Sequence, residues 1–459
     1  MSVLTIVARD IIALIKAAKL GEEIKPSQQA KRQVFDEEGI AGTYKDRILT
    51  AIFYDIWKRV GIIDRIASEV TGVKDIAILD PWLRASLRVS IELLVFERFI
   101  KDRDKIAKQT YIKYLKGPVA AFLSNATHPY VGMYFWEVID KIINYSYNPK
   151  DLILRWEYKY MVSEFIIRKL VDLIGKEETK RFLQSINKIP PINVRVNTLK
   201  STIEEVVSEF EKEGVRPTIG KYVPTIIKFK GPYDFNNSKL FNEGKIVIQE
   251  EASAVASLLL NPKPGEIVVD LCAAPGGKTM HIAELMRNQG IIYAFDVDEK
   301  RLRRMKKLLN RAGVTIAKIH HMDGRKAPKL LGEEIADKIL VDAPCSSTGT
   351  LAKNHELRWR VRYEKVEDIQ TLQIELLDTA VRLIKPGGRI LYTVCSVFKE
   401  EGEDVVKYIL DKHQGALTLV PIDKPFDPGF LRGTMRSWPH RHGVNGFFYA
   451  LLEKTKILR

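Results

Sequence analysis

Two cysteines and one acid stand where chemistry could be done. Asp342 closes the apolar run K-I-L-V-D and opens D-A-P-C-S-S-T-G, so a carboxylate and, three residues on, the thiol of Cys345 share one strand end. Cys395 closes a second run, R-I-L-Y-T-V, fifty residues later. A lone cysteine is more often a small buried hydrophobe than a reactive group. Two at separate strand ends, with an acid nearby, suit covalent catalysis by a thiol. The P-C of this segment is not half of a zinc deaminase signature, because Thr348 stands where the second cysteine belongs. With no CxxC pair and no HExxH, no metal is expected.

The segment D-L-C-A-A-P-G-G-K-T follows the run I-V-V-D-L and offers a ligand loop: Cys272, Ala273, Ala274, Pro275, Gly276, Gly277 and Lys278. Small residues let a ligand approach the backbone, and a helix starting near Thr279 would present free N–H groups. It is not a phosphate-binding P-loop. Cys272 stands at the required first glycine, and Pro275 removes an N–H that a phosphate cradle would use. Asp296, Asp323 and Asp342 each follow a successive apolar run. One such aspartate is usually a cap or turn former. Three beside a small-residue loop outline a nucleoside pocket, with Asp296 placed for ribose hydroxyls and Asp323 for an adenine amino group.

Positioning these groups takes a sheet. After Gln249, strand runs alternate with helical stretches, which implies an α/β fold with a mostly parallel sheet and helices on both faces. Ligands in such folds bind at the carboxyl ends of the strands, where the acids and cysteines fall. Residues 249–459 are therefore expected to form the catalytic domain, and residues 190–248 a small α+β subdomain that binds RNA. Residues 1–150 read as an all-α domain, with helical spacing in Ile48, Ile52, Phe53 and Ile56 and in Leu87, Ile91, Leu94 and Phe96. Asp80 and Pro81 mark one helix start. Residues 151–189 form a helical linker. In Lys300 to Lys307, Leu302, Met305 and Leu309 form a core face, and the charges are expected to be solvated. Trp359 among Arg358, Arg360 and Arg362 is open to two readings, a platform for unpaired bases or core packing.

The 459 residues carry a net charge of +15, which favours a polyanion partner. No run of eighteen apolar residues exists, so no membrane partner is expected, and Met1 to Lys16 lacks a signal-peptide cleavage site. Three cysteines exclude a disulfide framework and suit a cytoplasmic protein.

D-L-C-A-A-P-G-G-K-T, D-A-P-C-S-S-T-G and V-C-S, in this order, resemble the Sun (or Fmu) family of RNA 5-methylcytosine methyltransferases, from R-V-N-T-L-K at Arg195 to H-G-V-N-G-F-F ending at Phe448. Only Val394, where the family has Thr or Ser before the cysteine, departs from its wording. The segment L-R-A-S-L-R-V-S-I-E-L-L-V-F more loosely resembles the NusB-like RNA-binding fold, an arrangement similar to that of the bacterial small-subunit rRNA cytosine methyltransferase. The resemblance implies a Rossmann-like methyltransferase sheet, S-adenosyl-L-methionine as cofactor, and structured RNA as substrate, rRNA ahead of tRNA. It implies Cys395 as the nucleophile that adds to carbon 6 of cytosine, Asp342 as the partner of ring nitrogen 3, Cys345 as the group for proton loss and release, and Lys278 beside the base or Asp342. A monomer is expected. The DNA-type arrangement would instead make Cys345 the nucleophile. A methyltransferase for nitrogen or oxygen would need no thiol, and a binding scaffold would need neither the thiols nor the acids.

Overall fold

The structure is a computed structural model and describes residues 6–24, 27–96, 105–147 and 149–455. The chain divides into two compact units. One runs to Leu170 and includes Arg358–Arg360; the other holds Val171–Leu357 and Val361–Arg459. The division falls inside the stretch expected as a helical link.

The first unit is helical, with no strand among its described residues. Its longer helices are Ala8–Glu23, Tyr44–Thr71, Pro81–Leu94 and Pro129–Ile143. Ile52, Phe53, Ile56, Leu87 and Ile91, at the predicted helical spacing, lie fully buried in one core. Pro81 sits in the first turn of its helix, and the Asp80 carboxylate accepts from Trp82 N at 2.8 Å and Leu83 N at 3.3 Å. Two of the N–H groups that a helix start leaves without partners are thereby satisfied. Trp359 packs in this unit, its indole N–H donating to the carbonyl of Lys58 at 2.8 Å. Of the two readings left open for that ring, packing is the one the structure bears out.

The second unit opens with a small antiparallel sheet in the order β2-β3-β1-β4. Its strands are β1 (Ile192–Val196), β2 (Thr218–Ile219), β3 (Ile226–Phe229) and β4 (Ile246–Ile248), with the helix Ile203–Lys212 packed on it. That helix begins in a capping box between Thr202 and Glu205.

The large sheet contains β5 (Ile267–Asp270), β6 (Ile291–Asp296), β7 (Ala317–His321), β8 (Ala336–Asp342), β9 (Ile384–Val394), β10 (Leu417–Val420), β11 (Asp427–Pro428), β12 (Met435–Ser437) and β13 (Phe447–Lys454). Its order is β11-β12-β13-β9-β8-β5-β6-β7, with β10 paired to β13. The five strands legible as apolar runs, β5 to β9, are mutually parallel, and β13 adds antiparallel to β9. Alternate residues serve opposite faces, as the two-residue strand period requires. Val268, Ile292, Leu340 and Leu391 pack in one core with the helices Glu251–Leu260, Gly277–Leu285 and Glu299–Ala312. Val269, Ile339, Val341, Ile390 and Tyr392 pack in the other with Tyr363–Leu383 and Glu403–Lys412. The chain runs outward from β5 to β7, then returns to β8 on the other side of β5. Such a reversal opens a crevice at the carboxyl ends of β5 and β8, where doubly wound sheets bind ligands.

Candidate active site

The loop after β5 is built from small residues because the basic helix Glu299–Ala312 crowds it. Gly276, at φ 102°, precedes the helix Gly277–Leu285, and a Cβ there would lie 2.7 Å from Met305 Cγ. Both the backbone and the space call for glycine. The Asp296 carboxylate at the end of β6 takes Ala274 N at 3.0 Å on one oxygen and Asp298 N at 2.9 Å on the other. Arg301 ties the same loop down, 3.5 Å from Asp296 and donating to the Ala274 carbonyl. Arg195, buried at the end of β1, reaches the Gly277 carbonyl at 3.4 Å and pairs with Glu284. Neither arginine stands out in the sequence as part of the site; Arg301 reads there as one charge of a solvated face.

Asp323 follows β7, where its carboxylate forms an ion pair with Arg325, which also pairs with Glu375. The Arg325 hydrogen bond, chief among the effects that outweigh burial, holds Asp323 below the usual carboxylate range. Cys272 is half-buried in the loop, and burial pushes its thiol up. Asp270, at the end of β5, is 1% exposed. Burial raises it to about 7, although Thr279 donates to its carboxylate at 2.7 Å.

The loop and acids fit an adenosine-type cofactor. Each Asp296 oxygen has one backbone donor, leaving lone pairs for two vicinal hydroxyls, while Ala273, Ala274 and Gly276 present little side chain between a ligand and the backbone.

At β8 and β9 the thiols meet. Cys345 Sγ lies 3.0 Å from Cys395 Sγ, and Ser347 Oγ lies 3.3 Å from Cys395 Sγ and 3.8 Å from Cys345 Sγ. The hydrogen bond from Cys345 is the largest influence on Cys395, lowering its thiol against the opposing effect of burial. The same contact, with burial, pushes the Cys345 thiol well up. Of the two thiols, the contact biases Cys395 toward thiolate. Lys278 Nζ lies 2.7 Å from Asp342 Oδ2 and 5.4 Å from the Phe447 ring centre.

One residue of this region gives no sequence signal. Glu401, six residues beyond Cys395 in K-E-E-G-E, reads as a solvated turn yet is fully buried and bonded to Ser346 and Ser396.

A mostly parallel sheet with a small-residue loop after its first strand and acids along its strand ends is a Rossmann-like fold with the nucleoside-binding arrangement of that class. Residues 257–453 match the family described as 16S rRNA methyltransferase RsmB/F, and residues 162–236 its ferredoxin-like domain. The chain belongs to this RsmB/F methyltransferase family. It is 52% identical to a protein of solved structure, PH0851, over 98% of this chain and all of that one, with a TM-score of 0.86. It is 33% identical to the human 28S rRNA (cytosine(4447)-C(5))-methyltransferase over 66% of this chain and 39% of that protein. It is 28% identical to the Bacillus subtilis (strain 168) protein described as a probable ribosomal RNA small subunit methyltransferase B, over 82% of this chain and 83% of that one. The chain thus spans about two fifths of its human relative.

Proposed function

We propose that this chain is an S-adenosyl-L-methionine-dependent RNA cytosine-C5 methyltransferase that acts on structured rRNA through a covalent cysteine adduct. The observation that supports this reading most is the thiol pair itself, 3.0 Å apart with Cys395 biased toward thiolate. Carbon 5 of cytosine is a weak nucleophile until a thiolate adds to carbon 6, and transfer to nitrogen or oxygen would need no thiol.

In this mechanism the Cys395 sulfur forms a bond to carbon 6, and the ring electrons move toward carbon 5. Ring nitrogen 3 takes up a proton from solvent as the electrons move, and Asp342, held by Lys278, accepts hydrogen bonds from that N–H and from the exocyclic amino group, which stabilises the adduct. Asp296 would hold the ribose hydroxyls of S-adenosyl-L-methionine, Asp323 its adenine amino group, and residues 272–278 its remainder; the cofactor would supply the methyl group that carbon 5 takes, leaving as S-adenosylhomocysteine. Once Cys395 is bonded to carbon 6, Cys345 gives up its own proton to solvent, and its thiolate takes the carbon 5 proton after the methyl group has been added. The carbon 6–sulfur bond then breaks, and the thiolate of Cys395 is restored.

A base stacked in a helix hides carbon 6, so the target must be unpaired or extruded, at a cost of a few kcal/mol. Contacts with the rest of the RNA offset that cost. The helical residues 1–150 and the small subdomain 190–248 supply them in this reading. A cleft of about 620 Å3, lined by Arg181, Gln184, Lys188 and Pro190 and by Lys353 of the segment that carries Cys345, suits a phosphate backbone. The rRNA assignment draws on the names of the human and Bacillus relatives.

Bisulfite sequencing of total RNA with and without the gene tests this function. One rRNA cytosine should resist conversion only when the gene is present. A gene-dependent site in tRNA would redirect the assignment, and no gene-dependent site in any RNA would contradict it.

A further inference from the structure

We infer that Glu401 is a positioning residue that fixes the separation of the two thiols by bonding to the residue that follows each of them. Ser346 follows Cys345, and Ser396 follows Cys395. One oxygen of the buried Glu401 carboxylate takes the backbone N–H of Ser346 at 2.6 Å. The other takes the Ser346 hydroxyl at 2.5 Å and the hydroxyl of Ser396. The glutamate is itself held. Gln373 bonds to its side chain at 3.4 Å and to the Pro344 carbonyl at 2.8 Å, while the Tyr392 hydroxyl bonds to its main-chain carbonyl at 2.6 Å. Thr348 closes the circuit, its hydroxyl 3.0 Å from that of Ser396 and accepting from Val397 N at 3.1 Å.

A buried carboxylate is expensive, and apolar packing would join two loops at lower cost. What a carboxylate does that apolar packing cannot is accept several directional bonds at once, three of them here from the residues that follow the cysteines. A glutamine would turn one of its two ends into a donor facing donors. The thiol of Cys395 is faced by Cys345 and Asp342 from the end of β8, by Ser347, and by Lys278 from the helix after β5. Cys345 has the largest effect among these, and its effect depends on separation. The negative charge of Glu401 also raises the Cys345 thiol. The catalytic meaning of this device rests on the covalent-cysteine reading above; the geometric claim does not.

The test is alkylation of Cys395 by iodoacetamide across a pH series in the full-length protein, read by peptide mass spectrometry and needing no RNA. Glu401→Gln should move the midpoint of reactivity up and slow alkylation near neutral pH about tenfold, one pKa unit of lost thiolate. Affinity for S-adenosyl-L-methionine should be unchanged. Ser346→Ala and Ser396→Ala, which remove only hydroxyl donors, should shift the midpoint in the same direction by less, and they decide the matter if the glutamine variant gives no cooperative melt. A Cys395 that titrates as in the parent protein, in Glu401→Gln or in both serine variants, overturns the inference. A parent protein that methylates no RNA would refute the proposed function and leave this outcome standing.

Discussion

Lys278 Nζ sits 2.7 Å from Asp342 Oδ2, joining the helix after β5 to the end of β8 across the point where the sheet reverses. The lysine side chain is 11% exposed and the aspartate 30%, so neither charge is fully hydrated and each offsets the other's desolvation. If Asp342 orients the base, releasing it should slow the reaction without unseating the cofactor. Lys278→Met should lower turnover on RNA about 100-fold, the scale of losing one preorganised electrostatic contact. Steady-state kinetics beside cofactor calorimetry measures this, and unchanged turnover would remove Lys278 from the site.

Of the two acids proposed to hold the cofactor, only Asp296 bonds to the loop after β5. Asp296 holds Ala274 and Asp298 directly, whereas Asp323 is engaged with Arg325. Asp296→Ala should weaken S-adenosyl-L-methionine binding by roughly 1–3 kcal/mol, and Asp323→Ala by less. Calorimetry that finds unchanged affinity in both variants would place the cofactor elsewhere.

Asp270 makes stability depend on pH. Its carboxyl is raised from 3.8 to about 7 by burial, so the folded state binds the proton more tightly than the unfolded chain. Its contribution is fully present below about pH 4, declines as pH rises to about 7, and is absent above, a change on the order of a few kcal/mol. Asp270→Asn should flatten that decline. Denaturant melts at intervals from pH 4 to 8 check it, and parallel stability curves for parent and variant would contradict it.

Gly61 lies on the helix Tyr44–Thr71 under the Trp359 ring, and a Cβ there would stand 2.1 Å from Trp359 Cε3. Helix propensity alone would make Gly61→Ala stabilising by nearly 1 kcal/mol. Overpacking reverses the sign, and the variant should lose about 1–3 kcal/mol. Adding Trp359→Ala should abolish that penalty for the second substitution. A single Gly61→Ala variant that melts higher than its parent would show that the ring can move aside.

The strands and strand-end residues were legible because a parallel strand buried on both faces reads as a short apolar run, and its carboxyl end is where small and acidic residues become useful. The placing of Asp342, Cys345 and Cys395 at neighbouring strand ends is therefore legible in the chain. The antiparallel additions around β13 were less legible, since their pairing with β9 is set by a distant part of the chain. Glu401 and Arg301 were invisible as site residues for a different reason. Each lies in a charged stretch that looks solvated, and only the tertiary fold turns one of its charges inward. Trp359 shows the same limit from the other side: a ring among arginines suits RNA stacking and core packing equally well until its neighbours are known.

In the proposed mechanism Cys395 attacks and Cys345 releases. Each cysteine is replaced by alanine in turn, the variants are incubated with target RNA and S-adenosyl-L-methionine, and a denaturing gel is run with mass spectrometry of any adduct. Cys345→Ala should accumulate a covalent RNA–protein species mapped to Cys395, and Cys395→Ala should form none. An adduct that persists in Cys395→Ala and maps to Cys345 would contradict this mechanism.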